Sequence, residues 1–431
     1  MDTTSPRPTI YDFTRLATRF LNDTPNGIDR VDLRLARHFA FQRSQDTQAL
    51  LWTIAGGPRL FPASLAQELV LDIEEHWREP GAAGRDGPFE DLLYEEIVHR
   101  LTNPGSGRGP ITKAVARPRR RFIGALRKYG LRLGTSPLRA APLGAAYLNA
   151  THFPLEYHAH LRWLQRRRDI VPAFFIHDLF PIVAPQYFWP AEPDRHARRL
   201  KRIRQLCGRI IVASSFVAGQ VRQYYERDGH SASILVAPLP VSDAFLAPRR
   251  TDPRLAGRPY FVVCGTIEPR KNHIFLLRLW CELAETSDDV PALVIVGKRG
   301  WNAEAAIDML ERSSAISRHV IEVSGLTTSG LRRLMDGAAA LLAPSISEGF
   351  GLPVVEALSA GLPVIAARNP SFAELSTEES ASKGLSLLDT LDGPEWLNAI
   401  KAHAARPGFC GPSPPRGSSF ENAIERFLAA S

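Results

Sequence analysis

The sequence predicts an α/β protein of two doubly wound, Rossmann-like domains facing each other across a cleft, and three observations lead there. The chain has 431 residues, about three times the size of a usual domain. Its composition is globular, with 44% hydrophobic and 23% charged residues. Twice along the chain, short apolar runs alternate with amphipathic stretches, the pattern of parallel strands covered by helices on both faces.

The first series opens with an amphipathic helix over about 28–43, whose Val31, Leu35 and Phe39 share one face. A strand follows over 49–54. Residues 80–145 read as irregular and rich in Gly, Pro and Arg, with a basic insertion over about 97–145. Strands over 145–149 and 171–176 then flank a helix over 156–168. A basic helix over about 193–207, a strand over 209–213, a helix over about 214–227 and a strand over 233–237 complete a domain of residues 1–240. Prolines from Pro238 to Pro259 place a linker over 241–258.

The second series fills residues 259–405. It runs YFVVCG, a helix over 271–287, ALVIVG, a helix over 302–313, HVIEVSG, a helix over 327–336, AALLAPS, a helix over 351–360, and PVIAA. Residues 406–417 read as a loop. A final helix is announced by the capping box of Ser418 and Glu421, with Phe420, Ile424 and Phe427 on its apolar face.

Several classes are excluded. No run of 18 apolar residues exists, so no spanning helix is expected. The start, MDTTSPRPTIYDF, lacks a basic region followed by an apolar one, so no secretory signal is expected. Cys207, Cys264, Cys281 and Cys410 are scattered without paired spacing, as thiols in a reducing, cytoplasmic setting would be. No His/Cys/Asp cluster has metal spacing and no phosphate loop of the G-x-x-x-x-G-K type occurs, so neither metal nor cofactor is expected.

Chemistry is densest in Ser347–Glu356, SEGFGLPVVE. A strand ends, a loop carries Glu348, Gly349 and Gly351, and a helix starts with Pro353 in its first turn. Glycines allow close backbone approach, and free N–H groups at a helix start favour an anion. Glu356 lies about one turn further, roughly 6 Å along the axis. A ligand made of a sugar, a diphosphate and a ribose fits that order. The helix is otherwise apolar, and a buried unpaired carboxylate is costly. Arg270 and Lys271 are cations at another helix start, where they are unfavourable unless an anion joins them.

SEGFGLPVVEALSAGLPVIAA resembles the E-x7-E signature of the retaining glycosyltransferases of family 4, which have the GT-B fold. GTIEPRKNH, VGKRGW, FIHDLFP and NGIDRV fit the same family in the same order and span nearly the whole chain except 55–145. The resemblance implies that Glu348 contacts hydroxyls of the donor sugar and Glu356 the ribose hydroxyls. It places the backbone of Gly349, Phe350, Gly351 and Leu352 beside sugar and diphosphate, which Arg270 and Lys271 neutralise. Some relatives carry a further basic residue where this chain has Thr266. His177 would face the anomeric centre or the C6 hydroxyl, and Gly27 the donor phosphate. Lys298, with Arg299 and Trp301, follows a strand end on the nucleotide side, and His152 is an acceptor-side candidate. In such enzymes the last helix commonly crosses back to the N-terminal domain.

The expected activity is retaining transfer of a hexose, mannose-like or related, from a nucleotide diphosphate sugar to a hydroxyl of a lipid-linked glycan acceptor in surface polysaccharide assembly. A soluble glucan or disaccharide synthase and a non-catalytic nucleotide- or glycan-binding scaffold are the rival readings. The net charge of +8 is uneven: residues 97–153 hold 11 Lys or Arg and no carboxylate. Within them KAVARPRRRFIGALRKYGLRL combines cations with Phe122, Ile123, Leu126 and Tyr129. With no carboxylate in that stretch to neutralise it, an anionic membrane surface is the expected partner, giving a peripheral protein at the inner face. A nucleic-acid partner is not expected, because no binding-module motif appears.

Overall fold

A computed structural model describes residues 7–22, 24–54, 57–77, 88–112, 118–206, 208–376, 384–406, 408–409 and 420–430. It contains two seven-stranded sheets. The first joins β1 (Thr9–Asp12), β2 (Thr47–Thr53), β3 (Gly57–Pro62), β5 (Ala146–Asn149), β6 (Val171–Phe175), β7 (Arg209–Val212) and β8 (Ser233–Val236). Their order is β3-β2-β1-β5-β6-β7-β8, parallel except for the antiparallel edge strand β3. The second joins β4 (Ile111–Thr112), β9 (Tyr260–Cys264), β10 (Ala292–Val296), β11 (Val320–Ser324), β12 (Ala340–Ala343), β13 (Val364–Ala367) and β14 (Leu385–Leu388). Its order is β14-β13-β12-β9-β10-β11-β4, all parallel.

Helices bury each sheet on both faces, so central strands such as β5 and β12 are buried at every residue. That is why β12 is an unbroken apolar run and β5 is apolar up to its last residue, Asn149. β1 is equally buried yet absent from the sequence reading. Its four residues, TIYD, are too short and too polar to show as an apolar run. Its last residue, Asp12, accepts hydrogen bonds from Tyr147 Oη at 2.6 Å and Asn149 Nδ2 at 3.0 Å, which satisfies a fully buried carboxylate.

The basic insertion expected over 97–145 does not form one unit. The helix Pro88–Thr102 and β4 leave the first domain and join the second, where Ile111 pairs with Val323 and Thr112 with Ser324. Leu93, Tyr94, Ile97, Val98 and Leu101 form an apolar stripe at helical spacing and bury against Ile321, Val323 and Leu334. The helix Pro118–Ala125 stays with the first domain, where Ala125 and Tyr129 enter the core.

Carboxylates outside the stretch neutralise part of its charge, against the expectation. Lys128 pairs with Glu68 at 2.8 Å and Asp72 at 2.7 Å, and Arg132 with Glu68 at 3.2 Å. The helix Ala63–Trp77, unread in the sequence, supplies those carboxylates.

Residues 241–258 lie on the second domain rather than bridging freely. Val241, Phe245 and Leu255 are in its core. Arg332 donates to the carbonyls of Phe245 at 2.8 Å and Ala247 at 3.0 Å.

The last helix, Phe420–Ala429, packs on the first domain through Phe420, Ile424 and Leu428. Arg209 Nη1 donates to the Phe427 carbonyl at 3.0 Å, and Glu425 takes His38 at 2.6 Å and Arg43 at 3.0 Å. Ser418, the expected cap, lies outside the described residues, as do Cys207 and Cys410.

Candidate functional site

The two sheets point their carboxyl ends at one another, and the sequence motifs collect there. β12 ends at Ala343, and the loop behind it brings Glu348 to the cleft. Asn369 Nδ2 donates to the Ser345 carbonyl at 2.9 Å, and Ser371 Oγ donates to the Glu348 carbonyl, so the helix start at 369–371 holds the loop. Gly351 caps the helix Leu352–Ser359 with φ +88°, a conformation that favours glycine. A methyl group there would also meet the Phe372 ring at 2.3 Å.

Glu348 is buried and receives two cations. Arg270 Nη1 donates to Glu348 Oε2 at 2.9 Å and to the Ser347 carbonyl at 2.7 Å, while Lys271 Nζ donates to Glu348 Oε1. Burial alone would raise the Glu348 carboxyl. Lys271 and then Arg270 outweigh it and hold the group at about 2. Arg270 is held further by Glu268 at 2.7 Å. Both cations sit in a single turn, Pro269–Lys271, which ends in left-handed Asn272. The formal charges of Glu268, Glu348, Arg270 and Lys271 cancel, so an arriving anion draws on cations already fixed in place.

Glu356 behaves differently. Burial pushes its carboxyl up to about 7, and Arg30 pulls it back only in part. Arg30 Nη1 reaches it from the other domain at 2.9 Å. Arg30 lies one turn into the helix Gly27–Arg37, which Asn26 and Asp29 cap reciprocally. Gly27 opens that helix, is exposed, and has free space where a side chain would be.

His177 ends the segment after β6. Its Nε2 bonds the Ala150 carbonyl at 2.8 Å and its ring stacks on Phe175 at 4.6 Å. A methyl group on Gly349 would come 2.4 Å from the His177 carbonyl oxygen, so the two domains meet at this pair. Ser214 Oγ donates to the Gly349 carbonyl at 2.6 Å, and Glu374 accepts from the Ser215 amide at 2.8 Å. Phe350 and Leu352 reach into the core of the first domain.

Thr266 and Lys298 lie on neighbouring strand ends, joined by the Ile267 amide donating to the Lys298 carbonyl at 2.9 Å. Lys298 is exposed. Arg299 turns away to Glu322 at 2.9 Å, and Trp301 Nε1 crosses to the Tyr187 carbonyl at 2.8 Å. His152 has φ +63°, and its buried ring stands 5.5 Å from His177 and 5.2 Å from His196. Among the described residues no group of His, Cys, Asp or Glu could hold a metal, and no helix is long and apolar enough to cross a membrane.

The structure brings Glu348, Arg270 and Lys271 together and sets Gly349 against the His177 carbonyl, while the His177 ring is turned to Ala150 and Phe175. Sequence reasoning misses Arg30, Ser214 and Glu374. For Arg30 a signal exists, since a buried Glu356 demands a cation, but nothing in the sequence says which.

Buried histidines set an acid limit on the fold. Burial lowers His177 to about 4, His196 to about 4 and His273 to about 3, all below the ordinary value near 6.5. Each takes a proton on unfolding but not in the fold, so stability is lost as pH falls from about 6.5 toward 4. Glu356 runs the other way: its share is present at low pH and lost as pH rises from about 4.5 through 7. Asp32, which burial also pushes up to about 7, acts with Glu356, and His152, which burial lowers well below 6.5, acts with the other histidines, so four histidines oppose two carboxyls in this range. We expect the urea midpoint to fall steadily from pH 6.5 to 5, as the unfolding free energy drops by up to about 1.4 kcal/mol per pH unit for each histidine that no carboxyl offsets. A flat or rising midpoint would contradict this.

Residues 249–387 match the family model described as "Glycosyl transferases group 1". In structure the chain is similar to sucrose-phosphate synthase from Thermosynechococcus elongatus, with a TM-score of 0.56, 16% identity, and coverage of 98% of this chain and 94% of that one. Anabaena Alr3699/HepE in complex with UDP and glucose gives 0.53, 15% identity, and 92% and 89% coverage. The chain has the GT-B fold. In sequence, this GT-B chain is 28% identical over 231 residues to the serotype-specific mannosyltransferase WbdA of Escherichia coli, which covers 48% of this chain and 27% of WbdA. It thus spans about a quarter of that relative's length. The O-antigen chain mannosyltransferase B of Escherichia coli is 28% identical over 254 residues, 57% of this chain and 63% of that protein. The D-inositol 3-phosphate glycosyltransferase of Mycobacterium sp. (strain KMS) is 27% identical over 319 residues, 69% of each. These matches support a glycosyltransferase.

Proposed function

We propose that the chain transfers a hexose, mannose or a close relative, from a nucleotide diphosphate sugar to a hydroxyl of a glycan acceptor, with retention at the anomeric carbon. The acceptor is lipid-linked and the product is surface polysaccharide, with the enzyme peripheral at the inner face of the membrane. One observation carries this: Glu348 held ionised by Arg270 and Lys271 against the start of the Leu352–Ser359 helix, with His177 opposite. The mannosyltransferase relatives support the sugar class.

In this reading the diphosphate lies between Arg270, Lys271 and the helix start, the ribose at Glu356, and the sugar at Glu348 and His177. The bond from the anomeric carbon to the phosphate oxygen breaks. The acceptor oxygen bonds to the same face, and its proton passes to the leaving phosphate oxygen. Fixed cations stabilise the charge that gathers on the diphosphate. His177, kept neutral by burial, orients the sugar rather than adding charge.

A thermal-shift screen with UDP-, GDP-, ADP- and dTDP-sugars tests the reading. Ligand at 100 times its dissociation constant adds about 2.7 kcal/mol. A chain that none of these donors stabilises would rule the reading out. Glu356→Ala should raise the donor's Michaelis constant far more than it lowers turnover, because ribose contacts do not change along the reaction. Glu348→Ala should lower turnover instead. Steady-state kinetics with the best donor separates the two, and the opposite pattern would mean their roles are exchanged.

A further inference from the structure

A second cavity lies on the first domain, away from the Glu348 site. It encloses about 780 Å³, its open mouth included. Thr14 follows the end of β1, Trp52 stands near the end of β2 and Phe153 follows β5, so the cavity opens at the carboxyl edge of that sheet. Phe122, Leu126 and Tyr129 wall the opposite side.

The walls offer little to a polar ligand. Thr14 Oγ1 already accepts from the Trp52 amide at 3.1 Å. Thr18 Oγ1 donates to the Arg15 carbonyl at 2.7 Å, and Tyr129 Oη to Asp72 at 2.6 Å. The Trp52 ring is held flat against His160 at 5.4 Å. A sugar needs several convergent hydrogen bonds in its site, whereas an aliphatic chain needs none. The exposed part of the lining is apolar too: Leu126 and Tyr157 are 37% and 53% exposed. In sequence, the wall helix opens with Arg119, Arg120 and Arg121, and Arg127 is exposed beyond it. An apolar bore, walled by a helix whose sequence is rich in arginine, matches an amphiphile whose chain carries a phosphate.

We propose that this cavity takes the lipid chain of the acceptor next to its phosphate, and so holds the glycan's carrier on the acceptor side of the cleft. This rests on the reading of the acceptor as lipid-linked. Phe122, Leu126 and Tyr129, from the stretch expected at the membrane surface, form one wall of this cavity.

The test titrates the full-length protein with farnesyl phosphate below its micelle concentration, read by calorimetry. Ala17→Phe fills the cavity from one side, and Phe122→Asp puts a charge on the other at a half-buried position that tolerates it. Both variants are first required to keep the wild-type melting curve. Wild type should bind, both variants at least tenfold more weakly, and inorganic phosphate at the same concentration should not compete. Replacing Arg119, Arg120, Arg121 and Arg127 by Gln should weaken binding at low salt and leave the residual affinity insensitive to salt. Equal affinity in wild type and both variants, or no binding by wild type, overturns the assignment. Binding lost in the variants while wild type takes no nucleoside diphosphate would support the cavity and overturn the proposed function instead.

Discussion

Replacing Lys271 by alanine is expected to lower turnover by about 10²–10³, the loss seen when one preorganised donor to a developing oxyanion is removed, roughly 3 kcal/mol. Two effects combine. The leaving diphosphate loses a fixed cation, and Glu348 loses the strongest of the charges that oppose its burial. Its carboxyl must then rise from about 2 toward the range where it is protonated, which weakens its hold on a sugar hydroxyl. Arg270→Ala should act in the same way and also strand Glu268, which Arg270 holds at 2.7 Å. Turnover and nucleoside diphosphate affinity should fall together. Wild-type kinetics in either variant would remove that residue from the leaving group.

The second large effect is expected from a single methyl group. In Gly349→Ala the new carbon would lie 2.4 Å from the His177 carbonyl oxygen, a backbone atom of the other domain that cannot step aside. The two domains must part, and the Ser214 bond to the Gly349 carbonyl is strained with them. Misplacing reacting groups by about 1 Å costs on the order of a hundredfold. Glu356, Arg270 and Lys271 do not move, so nucleoside diphosphate affinity should stay within a few-fold of wild type. The measurement is turnover against affinity. A proportional loss of both would place the damage in the fold of the loop rather than in domain closure.

What the sequence shows and hides follows from physics. The second domain is legible because its strands are buried on both faces and its helices are amphipathic, so each element leaves a periodic trace. VPAFFI and RIIVA in the first domain are legible for the same reason, while SILVA, an exposed edge strand, shows through its β-branched and aliphatic residues alone. β1 is hidden because four residues are too few for a period and Asp12 ends it, its carboxylate satisfied by the Thr14 amide and by Tyr147, Asn149 and His160, which come from far along the chain. The helix Pro88–Thr102 is hidden for another reason. Its stripe is visible, but the sheet that it covers is encoded more than 140 residues later. In the site, Glu348 and Arg270 are found because they stand in local motifs. Arg30 is not, because its partner is 326 positions away. Charge in the basic stretch is misjudged likewise, since Glu68 and Asp72 neutralise it only after folding.

The route of the chain interleaves the two bodies. It runs from the first body to the second for the helix Pro88–Thr102 and β4, is back in the first by 118, joins the second again near 241, and gives its last helix to the first. Each body is therefore completed by sequence that lies outside its own main block, like two books bound with a few of each other's pages. That interleaving makes the halves inseparable. A gene cut at 240 would leave the second body without the strand and helix that cover Ile321 and Val323, and the first without the helix that seals Phe175.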